Sequence, residues 1–156
     1  MKILVFSDSH GSAWGMIRAI EAEKPDLCFF LGDGERDLDD VRSVCPSVPF
    51  FAVRGNCDLF SSLPLEIRCA AGGIEFFAAH GHLYGVKHDR TYAAIKTAAR
   101  KAGAEVVLFG HTHEELCRNE DGLTLLNPGS AGRRTASYGV LWKDEAGGLH
   151  CELRHV

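Results

Sequence analysis

Short apolar runs alternate with polar, glycine-containing segments along the whole chain. In the first half the runs cover residues 3–6, 27–31 and 50–53. Each run is apolar on both faces, which is typical of strands in a covered parallel sheet. The segments between them are long enough for right-handed crossovers, so we expect three parallel strands. A capping residue and helical periodicity predict one helix from Ser12 to about Glu23, and a second over residues 36–44.

The second half has a different pattern, in which apolar segments are paired across glycine-containing turns. The three pairs are 65–70 with 74–79, 115–119 with 123–127, and 137–142 with 149–153. Each pair predicts an antiparallel hairpin. A further strand is expected over residues 105–109, preceded by a helix from Asp89 to Ala102. Together the two halves predict an α/β (α+β) fold with mixed sheets.

Polar side chains follow five of the apolar runs, and all are of types that bind metal ions. They are Asp8, His10, Asp33, Asn56, His80, His111 and His113. Because functional groups collect at the carboxyl ends of strands in open α/β sheets, we expect these side chains to converge. A single such residue at a strand end is usually part of a turn. Five strand ends with the same chemistry favour a metal centre instead.

Seven protein ligands exceed the usual capacity of one transition metal and predict two ions. Asp33 is the natural bridge, since one carboxylate can bind both. His111 and His113 alternate along an extended segment, so each could serve a different ion. Mixed oxygen and imidazole donors favour Mn²⁺, Fe or Zn²⁺ over Mg²⁺ or Ca²⁺. We expect two divalent ions, Mn²⁺ first and Ni²⁺, Zn²⁺ or Fe as substitutes.

Composition and charge narrow the possible partners. The 156 residues suit one domain over residues 1–156, and a net charge of -4 argues against nucleic acid and anionic membranes. The six cysteines include no C-x-x-C pair, which argues against a zinc knuckle or a thioredoxin-type site. No apolar run is long enough for a signal peptide or a membrane span, so we expect a cytoplasmic protein in a reducing compartment.

Five motifs in register resemble those of the calcineurin-like metallophosphoesterase superfamily: DSH, GDGE, GNCD, HGH and GHTH. The short chain and the cysteine in GNCD are similar to its small, single-domain YfcE-like phosphodiesterase branch. The resemblance implies a β-sandwich of two mixed sheets flanked by helices. It also implies one ion held by Asp8, His10, Asp33 and His113, and a second held by Asp33, Asn56, His80 and His111.

The function implied by the resemblance is hydrolysis of a small phosphodiester by a dinuclear metal centre and a bridging hydroxide. Asp33 would bridge the ions, and Asn56 would help to stabilise charge on the phosphoryl oxygens. The chain departs from the superfamily at Cys57, where a histidine usually protonates the leaving group, and Asp58 then loses the partner that it would orient. Either only good leaving groups are hydrolysed, or His82 supplies the proton.

A protein-interaction scaffold is the alternative, because the small retromer scaffold subunit has the same fold and also lacks that histidine. Retention of all seven ligand positions favours the hydrolase. A nuclease is disfavoured by the acidic balance and by the lack of a basic stripe. A homo-oligomer could form if residues 74–77 or 137–142 made an edge strand, although both could be internal. Leu59 and Phe60 form an apolar wall near the site or pack inward.

Overall fold

The computed structural model describes residues 1–156 and contains two five-stranded sheets and three α-helices. The strands are β1 (Ile3–Phe6), β2 (Leu27–Phe30), β3 (Phe50–Ala52), β4 (Glu66–Ala71), β5 (Ile74–Ala79), β6 (Val106–Leu108), β7 (Glu115–Glu120), β8 (Leu123–Pro128), β9 (Ser137–Lys143) and β10 (Leu149–His155). The helices are α1 (Trp14–Glu23), α2 (Glu35–Val44) and α3 (Ala93–Lys101), and a short 3-10 helix covers His82–Tyr84. Every strand predicted from the sequence is present.

Both sheets are mixed, as the resemblance implied. The first has the strand order β10-β9-β1-β2-β3, with β1, β2 and β3 parallel and β9 antiparallel to β1. The second has the order β4-β5-β6-β8-β7, with β5, β6 and β8 parallel. The three predicted hairpins are confirmed. The sequence pattern did not predict that the last hairpin would join the first sheet.

Alternation of side chains along the strands places the two sheets face to face. In β1, Ile3 and Val5 point into a core between the sheets, whereas Leu4 and Phe6 pack against α1 and α2. On the other side of the molecule, α3 covers the outer face of the second sheet, with Ile95 at the centre of that contact. The four layers are therefore helices, sheet, sheet and helix, which confirms the expected sandwich flanked by helices.

Helix α1 begins at Trp14 and not at Ser12, because the residues before it form an irregular loop that carries His10. The Gly11 N–H in this loop donates a hydrogen bond to the Asp37 carboxylate of α2 at 2.8 Å. The Ser12 N–H donates to the Ser9 carbonyl in a turn, at 3.1 Å. These contacts hold the loop open beside α2 and delay the start of the helix.

Helix α3 also begins later than predicted, at Ala93 instead of Asp89. The left-handed backbone of Tyr92, with φ 54°, interrupts a right-handed helical path one residue earlier. Asp89 still accepts hydrogen bonds from the backbone N–H groups of Thr91 and Ala93, at 2.9 and 3.2 Å. It therefore stabilises the approach to the helix without being its first residue.

The edges of the sheets differ from those that the sequence suggested. Strands β5 and β9 each have a partner on both sides, so neither residues 74–77 nor 137–142 form an edge.

Cys117 in β7 and Cys151 in β10 form a disulfide that links the two sheets. Cysteine spacing does not reveal such a pairing, and the expectation of a reducing compartment did not anticipate it. None of the helices is long and apolar enough to cross a membrane.

Replacement of Phe29 by alanine tests the core between the sheets. Phe29 is buried, and its ring centroid lies 4.9 Å from that of Phe76 in the other sheet. We expect Phe29→Ala to lower the free energy of unfolding by about 3–5 kcal/mol, measured by urea denaturation. The matched control is Phe60→Ala, because Phe60 is 101% exposed and should contribute almost nothing. Equal losses in both variants would contradict this account of the core.

Candidate metal centre

The seven predicted ligand residues meet at one edge of the sandwich, where strands of both sheets end. Asp8, His10, Asp33 and Asn56 follow strands of the first sheet, and His80, His111 and His113 follow strands of the second. Two groups of side chains have donor atoms that all lie within 4.8 Å of one another: Asp8 with His10 and His113, and Asp33 with His80 and His111. Each group draws on both sheets, so it exists only when the sheets are packed in this way.

The first group combines a buried carboxylate with two more exposed imidazoles. Nε2 of His113 lies 3.1 Å from Oδ1 of Asp8, and Nε2 of His10 lies 3.6 Å from the same oxygen. The two Nε2 atoms are 3.1 Å apart. These three atoms face one another at separations typical of ligands that share one metal ion with bonds of about 2.0–2.2 Å.

The second group is built around His80, which is fully buried. Its Nδ1–H donates to the Leu31 carbonyl at 2.7 Å, which leaves Nε2 free to bind a metal. This Nε2 lies 3.4 Å from Oδ2 of Asp33 and 3.1 Å from Oδ1 of Asn56. The His111 ring completes the group, with its centroid 5.0 Å from that of His80. Each group contains three of the four residues of one ligand set implied by the resemblance, and the assignment of the ligands stays a prediction.

Asp8 and Asp33 each use one carboxylate oxygen to accept hydrogen bonds from neighbouring residues, and the other oxygen faces the histidines. Oδ2 of Asp8 accepts hydrogen bonds from the Ser7 hydroxyl at 2.5 Å and from the His111 N–H at 3.0 Å. Oδ1 of Asp33 accepts one from the Cys57 N–H at 2.7 Å. Oδ2 of Asp33 faces histidines of both groups, at 3.4 and 3.8 Å. That placement suits a carboxylate that bridges two ions.

One buried atom indicates that this site is built for a cation. Oδ1 of Asp8 is buried and accepts no hydrogen bond. An unpaired carboxylate oxygen is costly to bury, and a divalent ion beside it would offset that cost. Carboxylate, amide and imidazole donors suit ions such as Mn²⁺, Fe and Zn²⁺. The residues that are present therefore fit a pair of divalent ions.

Backbone strain is concentrated at the same place. Nine non-glycine residues have left-handed backbone, and five of them are candidate ligands with φ between 44° and 66°: Asp8, His10, Asp33, His111 and His113. This conformation is uncommon for residues with a Cβ and persists where the surrounding structure imposes it. The glycines that precede or follow these residues allow the loops to turn sharply enough to aim the side chains inward.

Asp58 holds two of the ligand-bearing loops together. Its carboxylate accepts four backbone hydrogen bonds, from the N–H groups of Asp33, Gly34, Glu35 and Gly55, at 2.7 to 3.0 Å. Burial acts to raise the pKa of Asp58, but these four donors outweigh burial and lower it. With cysteine at position 57, Asp58 is predicted to lack the histidine that it would otherwise orient. The structure shows instead that it organises backbone.

Three supporting residues were missed in the sequence. Asp37 accepts hydrogen bonds from the Ser9 hydroxyl at 2.5 Å and from the Gly11 N–H, and so fixes the loop of His10. Ser130 donates to the Asp8 carbonyl at 2.7 Å. Asn127 donates to the Gly110 carbonyl at 3.0 Å. An aspartate in the first turn of a helix and an N-P-G-S turn are common, so neither signals this role.

The pKa shifts differ between the two histidines of the second group. Burial acts to lower the pKa of His80, but the Asp33 and Asp8 carboxylates outweigh burial and raise it. Burial and the neighbouring His80 lower the pKa of His111 to about 4, so its imidazole is neutral at pH 7. Burial acts to raise the pKa of Asp33, but hydrogen bonds from His80 and from the Cys57 N–H hold it well below its usual range. Burial and then the Asp33 carboxylate raise the pKa of the Cys57 thiol. Neutral imidazoles and ionised carboxylates are the forms that bind divalent ions.

The two candidates for proton transfer lie at different places in the site. The Cys57 sulfur lies within 4.8 Å of the donor atoms of both His10 and Asp33, between the two groups. The His82 ring instead packs against the second group, with its centroid 5.4 Å from that of His80 and 6.1 Å from that of His111. Its Nδ1 is buried without a partner, and burial followed by His80 lowers the pKa of His82.

A cleft of about 610 Å³ opens beside the first group, and we call it the acidic cleft. Its carboxylates are those of Asp33, Glu35, Asp37, Asp39 and Asp58, and its one cationic side chain is Arg36. Leu59 and Phe60 line it as well, 76% and 101% exposed, so the expectation that they could pack inward is wrong.

Fold, metal-type donors and motif order together define a metal-dependent phosphoesterase. The chain belongs to the calcineurin-like phosphoesterase superfamily, whose domain model matches residues 1–144. It is similar to the probable metallophosphoesterase YsnB of Bacillus subtilis strain 168, with 30% identity over 145 residues that make up 90% of this chain and 83% of YsnB. The family resemblance inferred from the motifs is thereby confirmed.

Solved structures of two functional kinds share this fold. YfcE, a phosphoesterase from E. coli, aligns with a TM-score of 0.66 and 21% identity, over all of this chain and 98% of YfcE. A zinc complex of Vps29 from Entamoeba histolytica aligns with a TM-score of 0.76 and 21% identity, over 99% of both chains. At these identities the likeness establishes the fold and leaves the activity to be argued from the site.

Asp58→Asn tests the role of Asp58 in joining the loops. The amide would place an NH₂ group against backbone donors, so we expect the free energy of unfolding at pH 7 to fall by about 2–3 kcal/mol. Urea denaturation in the presence of a chelator measures this without any contribution from metal. Asp40→Asn is the matched control, because Asp40 is an exposed residue of α2.

The difference in the free energy of unfolding between wild type and Asp58→Asn should depend on pH. The pKa of Asp58 is lower in the folded protein than the value of about 3.9 expected in the unfolded chain. Its stabilisation is therefore complete well above pH 4 and is lost as the pH falls through the folded-state value. The difference between wild type and Asp58→Asn should shrink below pH 4, and a constant difference would contradict this.

Proposed function

We propose that the protein is a phosphodiesterase that hydrolyses small phosphodiesters with two divalent metal ions. The observation that carries the proposal is the convergence of two donor groups on the shared carboxylate of Asp33, beside the unpaired Oδ1 of Asp8. Storage of a metal would not need the Asn56 amide at the edge of the second group. Mn²⁺ is the first ion to test, with Ni²⁺, Zn²⁺ and Fe as alternatives.

The proposal assigns the ligands by group. Asp8, His10, Asp33 and His113 would hold one ion, and Asp33, Asn56, His80 and His111 the other. When bound, such a pair of ions supplies an activated water and neutralises charge on the phosphoryl oxygens. The Asn56 amide, next to the second group, would donate a hydrogen bond to a phosphoryl oxygen as charge builds on it.

The charge of the acidic cleft favours diesters over monoesters. Apart from Asp33, which would bind the ions, four carboxylates line it, against the single guanidinium of Arg36. A phosphomonoester carries nearly two negative charges at neutral pH, whereas a diester carries one. Unlike charges attract and like charges repel more strongly where water is partly excluded, so the cleft penalises the monoester more. This argument supports the diester preference on physical grounds beside the family resemblance.

Departure of the leaving group requires a proton donor near the ester oxygen. Cys57 occupies the expected position of an acid, but its raised pKa makes the thiol a weak proton donor. His82 stands at the second group, and its lowered pKa means that it is neutral at pH 7. We therefore propose that turnover depends strongly on the leaving group, because neither the Cys57 thiol nor a neutral His82 imidazole donates a proton readily at neutral pH.

A scaffold function is the second candidate, because the Vps29 fold is shared over nearly the whole chain. A pure scaffold has no chemical use for seven converging donors or for strained ligand loops. Those features favour the hydrolase. The two candidates differ in one direct observation, which is whether metal-loaded protein turns over a phosphodiester.

Hydrolysis of bis(p-nitrophenyl) phosphate by chelator-stripped protein, titrated with Mn²⁺, is the primary test. That ester has a good leaving group, so a weak general acid should not hide activity. We expect activity to appear with two equivalents of Mn²⁺ and to fall at least 100-fold in Asp33→Asn, whereas Asp40→Asn stays active. Binding of two equivalents without turnover, with Ni²⁺ and Zn²⁺ failing too, would favour the scaffold.

Cys57→His tests whether a missing acid limits the reaction. A histidine there would lie beside the first group, with an unperturbed pKa of about 6.5. We expect the rate for diesters of poor leaving groups, such as alkyl esters, to rise about 10- to 100-fold, with little change for p-nitrophenyl esters. Metal content measured in parallel shows whether the new imidazole has been recruited as a ligand. Equal changes for both ester types would refute the missing-acid explanation.

A further inference from the structure

Two large apolar side chains stand exposed on the wall of the acidic cleft. Phe60 is 101% exposed and Leu59 is 76% exposed, although both follow directly on the Asp58 that holds the ligand loops together. The same cleft is lined by His10 and Asp33 of the metal centre. An aromatic ring in water beside a proposed catalytic centre has no role in the core, so its partner must be sought outside the folded chain.

The backbone presents this ring in an unusual and well-defined way. Phe60 has a left-handed conformation, with φ 62°, which is a genuine outlier for a bulky residue. The segment is closed at its base by a hydrogen bond from the Arg54 N–H to the Pro64 carbonyl at 3.0 Å. Within it the Leu59 N–H donates to the Cys57 carbonyl at 3.0 Å. The strained conformation is therefore held in place by the structure around it.

We propose that Leu59 and Phe60 form an aromatic-binding platform that selects phosphodiesters with an aromatic ester group. This inference rests on the proposed function and names the substrate class of the same site. With the phosphoryl group at the metal centre, one ester group would extend along the cleft and stack on the Phe60 ring. Stacking would place one face of the flat ester group on the Phe60 ring, whose backbone is fixed by the closed loop.

The opposite side of the cleft adds hydrogen-bonding capacity to this apolar wall. Glu35, Arg36 and Asp39 come from the beginning of α2 and line the cleft. Carboxylates and a guanidinium can hydrogen-bond the polar edge of a ring that stacks on Phe60. A heteroaromatic ester group with amino or hydroxyl substituents fits this combination better than a plain alkyl group. The platform, the polar side chains and the candidate metal centre all lie in one cleft. This arrangement favours a bound substrate, and not a separate protein partner, as the molecule that covers Phe60.

Binding of two phosphonates to the Mn²⁺-loaded protein tests the platform without turnover. Phenylphosphonate and methylphosphonate share the metal-binding group and differ in the aromatic ring. We expect calorimetry to show about tenfold tighter binding of phenylphosphonate by the wild type. Phe60→Ala should reduce this preference to less than twofold and leave methylphosphonate affinity and metal content unchanged, whereas Phe60→Tyr should preserve the preference.

Val44→Ala is the matched control, because Val44 is 57% exposed on α2 and lies outside the cleft. It should leave the preference for phenylphosphonate intact. Equal affinity of the wild type for the two phosphonates, or an undiminished preference in Phe60→Ala, would overturn the platform. If the protein prefers phenylphosphonate through Phe60 and yet hydrolyses no diester, that result would support the platform and refute only the proposed enzymatic activity.

Discussion

Everything at the candidate centre depends on the two sheets being fixed to each other at their carboxyl edges. Several hydrogen bonds cross between the sheets there, among them those from His80 to the Leu31 carbonyl and from the His111 N–H to Asp8. Behind them the packing of Phe29 on Phe76 sets the distance between the sheets. A displacement of one sheet along the other would separate both donor groups at once. Site and core are therefore one cooperative unit.

Carboxylates at this edge serve in two layers with different chemistry. Asp8 and Asp33 each present one oxygen to the histidines, while Asp37 and Asp58 bind backbone N–H groups and shape the loops. Asp37 and Asp58 accept hydrogen bonds from backbone N–H groups that would otherwise be unpaired in the turns. The backbone can therefore turn sharply close to the candidate metal centre.

The sequence predicts the strands, and the convergence of the seven candidate side chains, because both leave periodic or positional signals. Asp8, Asp33 and His80 each follow an apolar run. Their proximity could be predicted from the rule that the carboxyl ends of parallel strands lie at one edge of a sheet. Other features leave no such signal. The role of Asp58 and the exposure of Phe60 depend on where loops meet in space, and the Cys117–Cys151 disulfide depends on how two sheets stack. Tertiary contacts of this kind are absent from any local pattern.

The left-handed ligand residues make the centre a thermodynamic burden on the fold that carries it. Glycine at any of these positions would relieve strain, and removal of the Asp8 carboxylate would abolish an unpaired buried oxygen. A lineage that stopped using metal could thus become more stable simply by mutational drift away from these residues. Under the proposed function, their joint presence in this chain reflects selection that has outweighed a standing pressure toward their loss.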